Sequence, residues 1–257
     1  MIVFRAACTL ILLLFSFSVH SEVIHKKYFG YDSWIDCSKR STVLVKYEVR
    51  ADHSNLSMDK NFHFDESIPE RCRQTSTGTY RTPYSKTYHR GHQATFNHLD
   101  YNLKALDESN FITSNILPQT AALNTGAMTV TENYIECQRD KYKGTAMESD
   151  YRILVFMGPL YEPDSGLMNN YFLKSHGIMT PSSFFKIAIA GTSYNIDEVK
   201  AWIMPNSDEA TKEMADQYLT TVEEVELRSG YQINLPESLK NQVAKTSISE
   251  VKKCDWK

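Results

Sequence analysis

The sequence predicts an α+β fold, a central antiparallel β-sheet with helices packed on it. Three observations carry that expectation. Apolar and β-branched runs recur at residues 42–49, 152–157, 183–190 and 199–204. Helical spacing is confined to a few segments. No internal repeat, low-complexity tract or linker divides the 257 residues.

Taken in order, the chain opens with a segment that reads as a leader. Arg5 is followed by the apolar run Thr9–Phe15, and Val19-His20-Ser21 precede Glu22. This is the layout of a secretory signal peptide, and the run is too short to span a bilayer comfortably. The expected organisation is a signal peptide at residues 1–21 and a single domain at 22–257, secreted or periplasmic, with no membrane span after cleavage. Thr42–Val49 then reads as a buried strand. Residues 50–86 are polar and carry Pro69, Gly78 and Pro83. An excursion of that length in a compact domain is usually functional. Arg152–Met157 reads as a second core strand ending at Gly158-Pro159. Ser183–Ala190 and Val199–Met204 flank Gly191 and read as a strand pair. Asp208–Leu219 has helical spacing at Ala210, Met214 and Tyr218. A further helix is predicted near Thr221, with Glu224 completing a capping box and Gly230 as its stop.

The formal charge is −3, and losing Arg5 makes it one unit more negative. A uniformly basic coat for nucleic acid is therefore excluded, but a local basic groove is not. Arg71, Arg73, Arg81, Lys86 and Arg90 crowd the stretch before His92, and Arg71, Arg73, Arg81 and Lys86 are candidate binding residues. After the leader there are four cysteines, Cys37, Cys72, Cys137 and Cys254. An exported chain with an even count suggests two disulfides. No pair has the close spacing of a zinc knuckle.

The chemistry concentrates in His89-Arg90-Gly91-His92, in Ser114-Asn115-Ile116-Leu117-Pro118-Gln119, and in Asn124. The first motif sets a histidine beside a glycine that permits close approach, and an arginine suited to phosphate. Taken alone, a histidine of this kind is more often structural, and two loop asparagines are more often turn formers.

These motifs, in this order, resemble the DNA/RNA non-specific endonucleases, the ββα-metal nucleases that include endonuclease G. Tyr151–Leu160 resembles the family's strand ending in Gly-Pro, Pro181–Lys186 its Pro-x-x-Phe-Phe-Lys segment, and Ala201–Asn206 its Met-Pro-Asn segment. Five short motifs in family order make coincidence a poor explanation. The resemblance implies a ββα-metal active-site motif and DNA and RNA as substrates, cut with little sequence preference. It implies Mg²⁺, or Mn²⁺ in its place, as cofactor. His92 would be the general base, Asn124 the metal ligand, Arg90 the phosphate neutraliser and Asn115 a residue that shapes the site. The chain departs from the family pattern in two places. His89 stands where the family usually has aspartate. The family glutamate on the metal helix matches Glu132 by count and Glu136 by context. With Cys137 near the end of that helix, Cys254 in the tail, and Cys37 and Cys72 on the strand and excursion that lead into the histidine motif, the expected pairs are Cys37–Cys72 and Cys137–Cys254. Rival readings are a family member that binds nucleic acid without cutting it, and a zinc enzyme using His89 and His92, with His98 nearby.

Overall fold

The computed structural model describes residues 22–252 except 53, 58–60, 85, 167–169 and 245. The predicted leader and Cys254 lie outside the described residues. The chain builds a seven-stranded antiparallel sheet, flanked by helices and joined to a smaller three-stranded sheet. The α+β expectation therefore holds.

The large sheet runs β1 (Val23–Lys27), β2 (Asp32–Asp36), β3 (Ser41–Val49), β7 (Arg152–Leu160), β8 (Ser183–Gly191), β9 (Ile196–Pro205) and β10 (Leu219–Thr220). The four apolar runs of the sequence become β3, β7, β8 and β9, and they occupy its centre. Successive side chains of a strand face opposite sides. Thus Val45, Tyr47 and Val49 enter one core with Ile153, Val155, Met157 and Trp202, while Leu44 enters a second core with Phe185 and Ile187. The small sheet runs β4 (Tyr80–Arg81), β5 (Thr87–His92) and β6 (Ile116–Gln119).

The helices that matter for the site are α1 (Leu103–Ser109), α2 (Ile112–Asn115), α3 (Ala121–Thr125) and α4 (Ala127–Arg139). α1 begins where the Asn102 side chain accepts from the Lys104 and Ala105 amides. α3 and α4 are separated at Gly126, where a Cβ would stand 2.0 Å from the Ala122 carbonyl and 2.5 Å from that of Ala210. α4 lays Ala127, Val130, Tyr134 and Ile135 on the first core.

The helix predicted near Thr221 is present at Val222–Ser229. The Thr221 side chain accepts from the Glu224 amide, and Gly230 closes it at φ 76°. The helix predicted over 208–219 is corrected to a 3₁₀ turn at Lys212–Tyr218 followed by β10. The Ala210 carbonyl receives the Ala127 amide at 3.0 Å, which commits it to the start of α4. The sequence reading did not mark β1, a short edge strand, or β2 beside it, both of mixed exposure.

Within the excursion, Cys72 is bonded to Cys37 at the end of β2, beside buried Ile35 and Ile68. Cys137 is also disulfide-bonded; its expected partner, Cys254, lies outside the described residues. No helix among the described residues is long and apolar enough to cross a membrane.

Candidate active site

The small sheet and α4 face each other across a cleft of about 460 Å³. Its lining includes His89, Arg90, His92, Thr95, Asn124 and Glu132, together with Phe62 and Phe96. Residues separated by more than forty positions in sequence thus share one cleft.

β5 supplies the histidine motif. It pairs with β6 so that His89 faces Gln119 and Gly91 faces Leu117 in register. The glycine is required by packing: a Cβ at Gly91 would meet the Gln119 side chain at 2.2–2.6 Å. Gln119 crosses where a side chain would otherwise stand, so the two motif strands close on each other.

His92 lies between two aromatic rings, with Phe62 at 5.6 Å and Phe96 at 5.8 Å between centroids. Burial lowers its pKa to about 4, with nearby Arg90 adding to the effect. The imidazole is therefore neutral at pH 7. Its Nε2 is 3.4 Å from Asn110 Oδ1, which can accept the Nε2 proton and leave Nδ1 with its lone pair. Arg90 stacks its guanidinium 3.9 Å above the Phe62 ring and donates to the Thr77 carbonyl. Phe62 comes from the excursion, which also contributes Thr79 to the cleft.

Asn124 sits on α3, just before the Gly126 break, and its amide nitrogen is 3.2 Å from His89 Nδ1. His89 therefore contacts the residue proposed as metal ligand. Asn115 lies outside the cleft and is fully buried. Its Oδ1 accepts from the Ala94 amide at 2.6 Å, and its Nδ2 donates to the Ala94 and Ser109 carbonyls. It locks the backbone immediately after His92.

The two candidate glutamates part company. Glu132 lines the cleft and accepts from Thr95 Oγ1 at 3.0 Å. Glu136, one helical turn on, opens into a second cleft with Asp52, Asp100 and Arg139. There burial raises the Glu136 pKa to about 7 and that of Asp100 to about 6.

The basic residues divide in the same way. Arg81 and Lys86 are on the β4–β5 hairpin whose outgoing strand carries the histidines, and Lys86 pairs with Asp208 at 2.5 Å. Arg71 and Arg73 line another cleft and pair with Glu22 and Glu66. His98 is absent from the cleft lining; its Nδ1 is 3.2 Å from the Tyr47 hydroxyl, and its Nε2 is 3.3 Å from the Glu132 carbonyl. Phe62, Phe96 and Asn110 were not singled out from sequence. Nothing in the spacing links a phenylalanine of the excursion to a histidine thirty residues later.

The chain matches the model of the DNA/RNA non-specific endonuclease family over residues 13–240. It belongs to that family. Mitochondrial endonuclease G of Bos taurus is 28% identical over 189 residues, 71% of this chain and 58% of that protein. The Homo sapiens protein is 27% identical over 205 residues, 76% of this chain and 64% of its own length. The mitochondrial nuclease of Saccharomyces cerevisiae is 26% identical over 199 residues, covering 72% and 56%. The chain thus spans less than two thirds of each of these relatives. The fold is also that of a solved EndoG/EndoGI complex, with a TM-score of 0.65 at 19% identity, covering 84% of this chain and 88% of the other.

Proposed function

We propose that this member of the family is a divalent-metal-dependent endonuclease that hydrolyses phosphodiester bonds of DNA and RNA without strong sequence preference. The observation that carries the reading is the convergence of His92, Arg90, Asn124 and Glu132 on one open cleft. Family membership supplies the reaction class.

The donor set fits a hard, largely hydrated cation. Mg²⁺ takes few protein oxygens and keeps several waters, so a single amide oxygen from Asn124 is adequate. Among the described residues, the one group of three His, Cys, Asp or Glu ligand atoms within metal reach is Glu22, Cys37 and Cys72. Both of its sulfurs are spent in the disulfide. Among the described residues, zinc therefore has no group of three such ligands at the cleft. We assign Mg²⁺, with Mn²⁺ as its substitute, to Asn124. When bound, the cation supplies charge neutralisation for the phosphate and the leaving 3′ oxygen. The His89 lone pair can take the Asn124 amide N–H, which leaves Oδ1 free of that contact.

His92 Nδ1 takes the proton of the attacking water. Water oxygen bonds to phosphorus as the bond to the 3′ oxygen breaks, and that oxygen takes a proton from solvent water, giving 5′-phosphate and 3′-hydroxyl ends. Arg90 neutralises the phosphate, and its stacking on Phe62 holds the guanidinium in place. We further propose export of the mature domain. The Cys37–Cys72 bond and the bonded Cys137 suit an oxidising compartment.

The test is plasmid and RNA cleavage by the purified protein with Mg²⁺, with Mn²⁺ and with excess chelator. Cleavage abolished by chelator and restored by cation is expected. Binding without cleavage under all three conditions would establish the non-cutting alternative.

A further inference from the structure

The Pro181–Lys186 motif contributes no residue to the cleft lining, yet it ends in a cation with an unusual setting. Lys186 lies on β8, in the sheet interior, with a side chain 0% exposed. Its Nζ has no hydrogen-bond partner among the described residues. The acid within ion-pair reach is Glu132, whose Oε1 lies 3.9 Å away. A strand filling a core has no need of an ammonium. Leucine or methionine would pack there without the desolvation penalty that a buried charge carries.

The surroundings hold few competing charges. Glu132 takes one hydrogen bond from Thr95, on Oε1, and lines the cleft with His92 and Asn124. His98, packed between Tyr47 and α4, is driven toward its neutral form by burial and by Lys186 itself. Glu136 faces the other cleft. Burial pushes Glu132 up and Lys186 down, to about 8, and each partner opposes the other's shift. The Lys186 amine and the Glu132 carboxyl therefore face each other, 3.9 Å apart, across the interface between sheet and metal helix.

We propose that Lys186 is a positioning residue for the site. From 3.9 Å behind Glu132, its ammonium holds that carboxylate ionised and in place at the back wall of the cleft. The site then presents a fixed negative charge toward a hydrated divalent cation, and Lys186 touches neither cation nor substrate. This rests on the reading of Glu132 as a site residue.

The test is a double-mutant cycle on the full domain with Lys186→Met, Glu132→Gln and the two combined. Mn²⁺ and Mg²⁺ affinity is measured by calorimetry without nucleic acid, and thermal melting in parallel. Each single substitution is expected to weaken cation binding about 10–100-fold, the usual effect of removing an outer partner of a metal site. The double variant should bind no more weakly than Glu132→Gln alone. If the two losses multiply, Lys186 acts through packing and the proposal fails. If Lys186→Met does not fold, the double variant decides. Recovery of melting temperature on adding Glu132→Gln supports the pair, and equal instability overturns it. Unchanged cation affinity in Glu132→Gln overturns the reading of Glu132 as a site residue and this proposal with it. Weakened binding in Glu132→Gln with none in Lys186→Met overturns the role of Lys186 only.

Discussion

His92 shows how a residue acquires its chemistry from its neighbours. An unperturbed histidine titrates near 6.5. Between Phe62 and Phe96 the charged form is disfavoured and the pKa falls to about 4. The base form then persists into acid, so the acid limb of kcat/KM is expected well below pH 6.5. A limb at or above 6.5 would show that this environment is not the working one. The same shift bears on stability. A histidine with a depressed folded pKa binds protons more readily when unfolded, so folding loses stability as pH falls from about 6.5 toward 4. His92→Ala should lower turnover about 10²–10⁴-fold while the fold is retained, as measured by single-turnover cleavage and circular dichroism. His89 makes a second residue-scale case. If it orients the Asn124 amide, His89→Ala should weaken Mg²⁺ binding about 10–100-fold in calorimetry. An unchanged dissociation constant would remove His89 from the site.

At the scale of the element, α4 distributes two acids to two clefts. Glu132 and Glu136 are one turn apart, yet the first meets Lys186 and Thr95 and the second meets Asp100 and Arg139. Sequence could not choose between them, because a helix register settles to within a turn only when the packed face is known. The structure puts Glu132 in the site cleft. Glu136 carries a different consequence. Its folded pKa is raised to about 7, so ionising it opposes folding, and stability declines as pH rises from about 4.5 through 7. Glu136→Gln should therefore melt above the wild type at pH 8 and level with it at pH 5. The expected gain is about 2–4 °C per kcal/mol recovered for a domain of this size. No gain at pH 8 would mean that Arg139 already compensates the charge. The helix over 208–219 failed for a related reason. Its spacing was sound, but the Ala210 carbonyl is used across the chain by Ala127.

At the scale of the whole molecule, the basic stretch before His92 splits into two regions. Arg81 and Lys86 ride on the hairpin that carries the histidines, whereas Arg71 and Arg73 line a separate cleft. Charge reversal at Arg81 and Lys86 should reduce the salt dependence of DNA binding, by a slope of about 1 for each phosphate that is no longer neutralised. Reversal at Arg71 and Arg73 should leave the slope as it was, and a reduced slope there would relocate the groove. The Cys37–Cys72 bond fastens the excursion to the sheet, and its loss should destabilise the domain by about 2–4 kcal/mol in denaturant melts.

The sequence by itself determined the central strands, the helix at Val222–Ser229 and the order of the site motifs. Those are local properties: alternation of apolar side chains, a capping threonine with a terminating glycine, and short runs of chemically distinctive residues. Only the tertiary structure decided which glutamate enters the cleft, that Phe62 helps set the basicity of His92, and that Asn115 braces the backbone. It also decided that His89 meets Asn124 and Lys186 meets Glu132. These pairs join residues from 30 to more than 50 positions apart, or 21 in the case of Asn115 and Ala94. No period or propensity encodes them, because desolvation and charge pairing depend on which surfaces the packed sheet and helices bring together.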